Sequence, residues 1–316
     1  MKRASARSGH RIMAKKATIG SKHAIGGAVR QAAFDILAAA RAALDNSARS
    51  DAVKIHDYRK AMKRWRAFLR LLESKIPAES KRLRRQARQL ARELAGPRDA
   101  QSALDALHDI IKNAHPRSSS FLRVAARIEA HLQTDRKKQE ASRLNDDLRA
   151  RLIAGLNTAT ASVERWPLKS MRFEEILQQI AKTYRRARRA TPKSWERAPP
   201  REVHRLRQRV IDHRYQMEIL EPLWPRMGRT WIREAQRLRE QLGKYQDLTV
   251  LAGLTAPRSS LARWRTPLLR RIERRQHEHL ALAKRTALRM FAEPSKAFQR
   301  RFEALWKAGG GKIAQR

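Results

Sequence analysis

The chain has no cysteine, only 30 acidic residues among 316, and just 12 glycines and 12 prolines. Each scarcity closes off a class of answer. Without cysteine there are no disulfides and no thiolate zinc sites, which suits a reducing compartment. No apolar run approaches the roughly 18 residues that a spanning helix needs, so a soluble, cytoplasmic chain without a membrane span is expected. Enzyme signatures are missing too. There is no P-loop glycine cluster, no nucleophile elbow and no HExxH pair, and no two acids are spaced as general acid and base. His277 and His279 fall about 200° apart on a helix, which rules them out as a zinc pair and gives them a surface role. Binding without turnover is expected, with no cofactor and no metal.

What the chain has in excess is positive charge. Against its 30 acids stand 72 Lys and Arg residues, a formal net charge of +42. Such a field repels itself, so the natural partner is a polyanion: nucleic acid, an anionic membrane or polyphosphate. The chain is nevertheless no basic tail, because 41% apolar residues build a real core. Residues 1–24 carry many cations, no acid and no apolar signal core. They read as a flexible basic arm, with an organellar transit peptide as the other reading.

Ala, Leu, Arg, Glu and Gln predominate, and apolar residues recur at three- and four-residue spacing, so the fold class is all-α. Breaks are expected at Pro77, at Gly96 and Pro97, around Pro116 to Ser120, at Pro167, from Thr191 to Pro200, from Pro222 to Gly228, at Gly243, around Pro257 to Ser260 and at Pro294. An internal repeat runs through these segments. Laid over residues 204–247, residues 56–99 match at 11 of 44 positions without a gap, among them His56 with His204, Arg59 with Arg207, Arg66 with Arg214, Pro77 with Pro225 and Asp99 with Asp247. Two related helical-bundle halves are expected, about 25–168 and 169–308, with a short tail over 309–316.

On a helical wheel Ile55, Tyr58, Met62, Trp65, Leu69 and Leu72 share an apolar arc of about 100°. Arg66, Arg59, Arg70, Lys63, His56 and Lys60 occupy the adjoining arc. Val203, Leu206, Val210 and Met217 repeat the apolar arc in the second half, and Arg214, Arg207, His204, Tyr215 and Gln208 repeat its neighbour. Ile211 and Glu218 interrupt that second row, which should hold anions less strongly. Like charges at this spacing disfavour a helix unless an anion occupies them. Arg offers a planar fork, Lys a point charge and His a donor near neutral pH, which together make a phosphate track. The stretches LAGPRDA (94–100) and LGKYQDL (242–248) each lead to an aspartate, Asp99 or Asp247. Each aspartate is placed to cap the next helix or to orient a basic side chain, with Arg98 beside the track. The seven tryptophans are expected mostly in the core rather than as base-stacking platforms.

With HDYRKAMKRWRAFLRLL and GPRDA in the first half, and YRRARRA, HRLRQRVIDHRYQMEILEPLWP and LGKYQDLTVL in the second, the chain resembles the CHAD domain family. LLRRIERRQ (268–276) fits as well, and the likeness covers about 25–308. The resemblance implies two bundle-like halves related by a pseudo-twofold axis, with the His-bearing helices facing a central basic cavity. It also implies binding of inorganic polyphosphate, in some members with association to polyphosphate granules. Carried over by position, His56, Arg59, Lys60, Lys63, Arg64 and Arg66 form one wall, with Arg98 nearby. His204, Arg207, Arg214 and Tyr215 form the other, helped by Arg185 and Arg188. No ExExK strand of the triphosphate-processing relatives is present, so the likeness is to a stand-alone member. The alternative is a nucleic-acid or nucleoid-associated basic protein.

Overall fold

Helical spacing of apolar residues runs the length of the chain, and the computed structural model follows it. It describes residues 25–94, 98–114, 119–140 and 144–310. The arm expected over 1–24, the break at Gly96 and Pro97, part of the break around Pro116 and most of the tail lie outside the described residues. Within them are eleven α-helices and no sheet. They are α1 (Gly26–Asp45), α2 (Asp51–Leu69), α3 (Pro77–Glu93), α4 (Arg98–Lys112), α5 (Ser119–Glu140), α6 (Asp146–Glu164), α7 (Phe173–Ala190), α8 (Pro200–Leu220), α9 (Pro225–Leu254), α10 (Arg265–Met290) and α11 (Ser295–Ala308).

Local chemistry sets the helix starts. Pro77, Pro200 and Pro225 stand in the first turns of α3, α8 and α9, where a missing N–H costs nothing. Asn145 caps α6 by accepting from the Leu148 amide at 2.8 Å. Glu175 accepts from the Arg172 amide at 2.9 Å and closes the start of α7. Gly26 lets α1 pass the Leu168 carbonyl, whose oxygen would stand 1.8 Å from any Cβ there.

One expected break is absent. α9 runs unbroken through Gly243 and Asp247, so Asp247 caps no helix. The first half carries Pro97 at the matching place, and the second carries Tyr245. One glycine costs a helix only about 1 kcal/mol, whereas proline costs about 3. Displaced by the 148 residues that separate His56 from His204, the starts of α1, α2, α3, α5 and α6 fall within two residues of those of α7, α8, α9, α10 and α11. The start of α4 falls inside α9.

Two apolar clusters hold the helices. The larger joins α1, α2, α3, α6, α7, α8, the first part of α9, the last part of α10 and α11 around Tyr58, Trp65, Phe173, Tyr184, Phe298 and Phe302. The smaller packs Leu107, Ile110, Phe121 and Ile128 of α4 and α5 against Leu248 and Leu251 of α9 and Leu268 and Ile272 of α10. Both draw on residues from either side of position 168. The tryptophans behave as expected: Trp65, Trp166, Trp195, Trp264 and Trp306 are buried, and Trp224 at 51% is the exposed exception.

His279 corrects the sequence reading. It is not a surface residue but is 2% exposed. Its Nε2 lies 2.8 Å from Asp109 Oδ2 and its Nδ1 2.7 Å from Gln241 Oε1. Arg275 donates to the same Asp109 oxygen at 2.8 and 2.9 Å, and Lys244 reaches the other at 3.2 Å. Burial alone would raise the Asp109 carboxyl, but these three cationic or polar donors hold it well below the usual carboxylate range. This network ties α4 to α9 and α10. A wheel of α10 alone could not reveal it, because Asp109 lies 170 positions away.

Candidate functional site

The two His-bearing helices meet near their C-terminal ends. Gln216 Nε2 donates to the Ala67 carbonyl at 3.0 Å. To one side Arg64 Nε pairs with Glu218 at 2.8 Å, and to the other Arg70 Nε pairs with Asp212 at 3.0 Å. As numbers rise along α2 they fall along α8, so the helices cross in opposite senses. His56 and His204 therefore lie on either side of the crossing, separated along the helices by on the order of 30 Å at about 1.5 Å per residue.

Along α2 the apolar arc is buried as the wheel requires: Tyr58, Met62, Trp65 and Leu69 are at most 3% exposed. Behind it, a crevice against α1, α3 and α6 is lined by Leu37, Leu83, Leu90 and Leu156 together with Tyr58. Burial there, with Glu93 adding to it, pushes the Tyr58 phenol up. The cationic row sits beside this arc. His56 and Lys60 are exposed and Lys63 is half-buried. Arg59 donates to the Leu94 carbonyl at the end of α3, at 3.2 Å. The corresponding Arg207 of α8 lies over Gly243, where a Cβ would stand 3.5 Å from its Nε.

The remaining second-row residues are engaged locally. The Gln208 amide nitrogen lies 2.7 Å from His204 Nε2. Arg214 sits 4.8 Å over the Tyr215 ring and 3.6 Å from Glu218. Burial pushes the Tyr215 phenol up, against the pull of Arg214. Arg188 is turned elsewhere: its Nε donates to the Phe291 carbonyl at 3.0 Å and closes the C-terminal end of α10. Arg185 is exposed on α7. The side chain of Arg98 lies outside the described residues.

What the wheel missed is where the first row ends. Arg66 feels the charge of Arg88 of α3, Arg70 that of Arg84 of α3 and Arg209 of α8, and Arg209 in turn that of Arg186 of α7 and Arg205 of α8. Two carboxylates stand among them, Asp212 beside Arg70 and Glu73, which pairs with Arg84 at 2.6 Å. Burial lowers the basicity of Arg66, and Arg88 and Arg70 lower it further against the pull of Asp212. Burial does the same to Arg209, with Arg70, Arg186 and Arg205 adding to it. The Asp212 side chain is 15% exposed, and burial holds its carboxyl above the usual range against the pull of Arg70, Arg209, Arg66 and Arg84. Among the described residues no group of three or more His, Asp or Glu could hold a metal ion, and no helix is long and apolar enough to cross a membrane.

The family model for the CHAD domain matches residues 30–256. The chain belongs to the CHAD domain family. A crystal structure of the CHAD domain from the plant Ricinus communis superposes on it with a TM-score of 0.53 at 18% identity, covering 97% of this chain and 99% of that one. The CHAD fold thus extends through α10 and α11, beyond the last residue of the family match. A comparison with curated proteins finds no match.

In this CHAD domain the sequence signal for α3 was faint. Its cations at 81, 82, 84, 85, 88 and 92 surround the helix on several faces. Only contact with α2 and α8 selects Arg84 and Arg88. For Arg186 the hint is the YRRARRA stretch itself, within which spacing alone does not separate it from Arg185 and Arg188.

Proposed function

We propose that this CHAD domain binds inorganic polyphosphate without turnover, along the cationic row of α2 up to its crossing with α8. The carrying observation is the unbroken order His56, Arg59, Lys63, Arg66, Arg70 on one helix face, ending among the arginines of α3, α7 and α8. Successive phosphates of an extended chain match such a row, and Arg forks hold their oxygens in pairs. The shared offset of 148 residues in both sequence and helix starts supports reading the chain as two related halves, about 25–168 and 169–308, joined by a pseudo-twofold axis at the crossing. The ion pairs Arg64–Glu218 and Arg70–Asp212 exchange places under that offset, which also favours it. His204, Arg207, Arg214 and Tyr215 then form a second, weaker row on the other side of the crossing, since the Gln208 amide already donates to His204 and Glu218 already pairs with Arg214. A cytoplasmic location, with association to polyphosphate granules, fits this reading.

The site is tested by changing His56, Arg59 and Lys63 together to Ala and measuring affinity for long-chain polyphosphate. Each lost phosphate contact is expected to cost on the order of 1 kcal/mol or more beyond general screening. The exposed residues Arg123, Arg127 and His277 make a control of equal charge loss. Equal weakening by the control would show that net charge alone drives binding. The second reading, a nucleic-acid binder, draws on the +42 charge. It expects deletion of residues 1–24 to abolish most of the affinity, whereas a track on α2 keeps it.

A further inference from the structure

The two ends of the crossing differ sharply in charge. At the α2 end stand seven arginines, Arg66, Arg70, Arg84, Arg88, Arg186, Arg205 and Arg209, against two acids, Asp212 and Glu73. At the positions 148 residues away stand Arg214, Glu218, Ile232, Gln236, Ala38, Asp57 and Ala61, with Arg64 and Glu221 in place of the acids. Over these matched positions the first set has an excess of five positive charges and the second one negative charge more than positive, although Arg229, paired with Glu221, and Arg239, beside Tyr215, add cations at the second end. The α2 end is also closed. Beyond Arg66 the row runs into α8, whose Gln216 bonds the Ala67 carbonyl and whose Asp212 pairs with Arg70. Arg66, Arg70, Arg84 and Arg209 form a half-buried floor, and Arg88, Arg186 and Arg205 stand exposed at the rim.

An anion chain lying on the α2 row must stop at this floor. Inner phosphates of a linear polyphosphate carry one charge each, whereas a terminal phosphate takes a second near neutral pH, as phosphate monoesters do. We propose that the arginine pocket is a terminal-phosphate site, which takes the doubly charged end of a linear phosphate chain and so fixes where the chain begins on the protein. This rests on the polyphosphate reading above and adds to it a preference for ends. Asp212 and Glu73 space the arginines while the pocket is empty, and the incoming terminal oxygens take over their partners.

The test uses calorimetry on the full chain with two probes, linear tripolyphosphate and cyclic hexametaphosphate. The ring carries more charge but has no end. Tripolyphosphate is expected to bind more tightly by about tenfold or more, a preference that charge count alone would reverse. Changing Arg84 and Arg209 to Ala should remove the preference, and changing the exposed Arg123 and Arg127 to Ala should leave it. The comparison of probes on the unaltered protein stands even if the arginine variant folds poorly. Equal or tighter binding of the ring overturns the end site. Should long-chain polyphosphate bind all the same, the track on α2 survives that failure. If tripolyphosphate binds with the expected preference while long chains do not bind, the track falls and the pocket stands.

Discussion

Between pH 6.5 and 4.5 the protein is expected to lose about 1.4 kcal/mol of stability per pH unit through His213 alone. This imidazole is fully buried, with Tyr184, Phe291 and Phe298 packed around it. Its Nε2 accepts from the Trp231 indole N–H at 2.9 Å. Burial pushes its pKa down to about 3 from an ordinary 6.5. In this window the unfolded chain binds a proton that the folded chain refuses, so stability falls as pH falls. The contribution is complete above pH 6.5 and spent near pH 3, on the order of 4–5 kcal/mol in all. Glu79, held down to about 2 chiefly by its hydrogen bond to Arg82, adds its own loss only below about 4.5. Asp212 and Glu218, held above the usual carboxylate range by burial, take up protons in the folded state and act the opposite way, so the His213 contribution is read as the difference between parent and variant. Denaturant melts at pH 7, 6 and 5 check this, with His213→Gln as the non-titrating partner that can still accept from Trp231. The slope should shrink by about one proton in the variant; parallel slopes would place the acid sensitivity elsewhere.

Asp212→Ala is expected to be the most costly single change near the track. It leaves Arg70 and its neighbours facing one another, and breaking a mostly buried ion pair from one side costs about 3 kcal/mol. At about 1.5 °C per kcal/mol for a chain of this size, the melting midpoint should fall by roughly 4–5 °C in buffer free of multivalent anions. Phosphate chains supply the missing negative charge, so a saturating oligophosphate should raise the melting midpoint of the variant more than that of the unaltered protein. An unchanged midpoint in anion-free buffer would mean that the arginines do not depend on this carboxylate. A variant that tripolyphosphate stabilises no more than it does the parent would mean that the anion does not enter their pocket.

These two residues mark where sequence reading stops. The apolar arc of α2 was legible because helical phase is a local property: Tyr58, Met62, Trp65 and Leu69 are buried where the wheel puts them. So were the all-α class and most breaks, since proline acts on its own backbone. Ala67 shows the limit. Its phase places it among the cations, yet it is 0% exposed because α8 lies on it. His213 and His279 look like ordinary basic-helix residues until α9, α11 and α4 close over them. The arginine pocket is assembled from four helices, and no spacing within any one of them singles out Arg84 or Arg209. At Gly243 the local cost of a helix breaker is outweighed by the packing around α9, which continues through it.

The most direct measurement is a competition at equal phosphate concentration and moderate salt, with labelled long-chain polyphosphate bound to the full-length protein and duplex DNA added. Both are polyanions, and both gain from counterion release. Only the single flexible phosphate chain can lie along the α2 row and enter the closed arginine pocket. DNA is therefore expected to leave most of the polyphosphate bound. Displacement of the polyphosphate by equal DNA would contradict the assignment and return the chain to the class of general nucleic-acid binders.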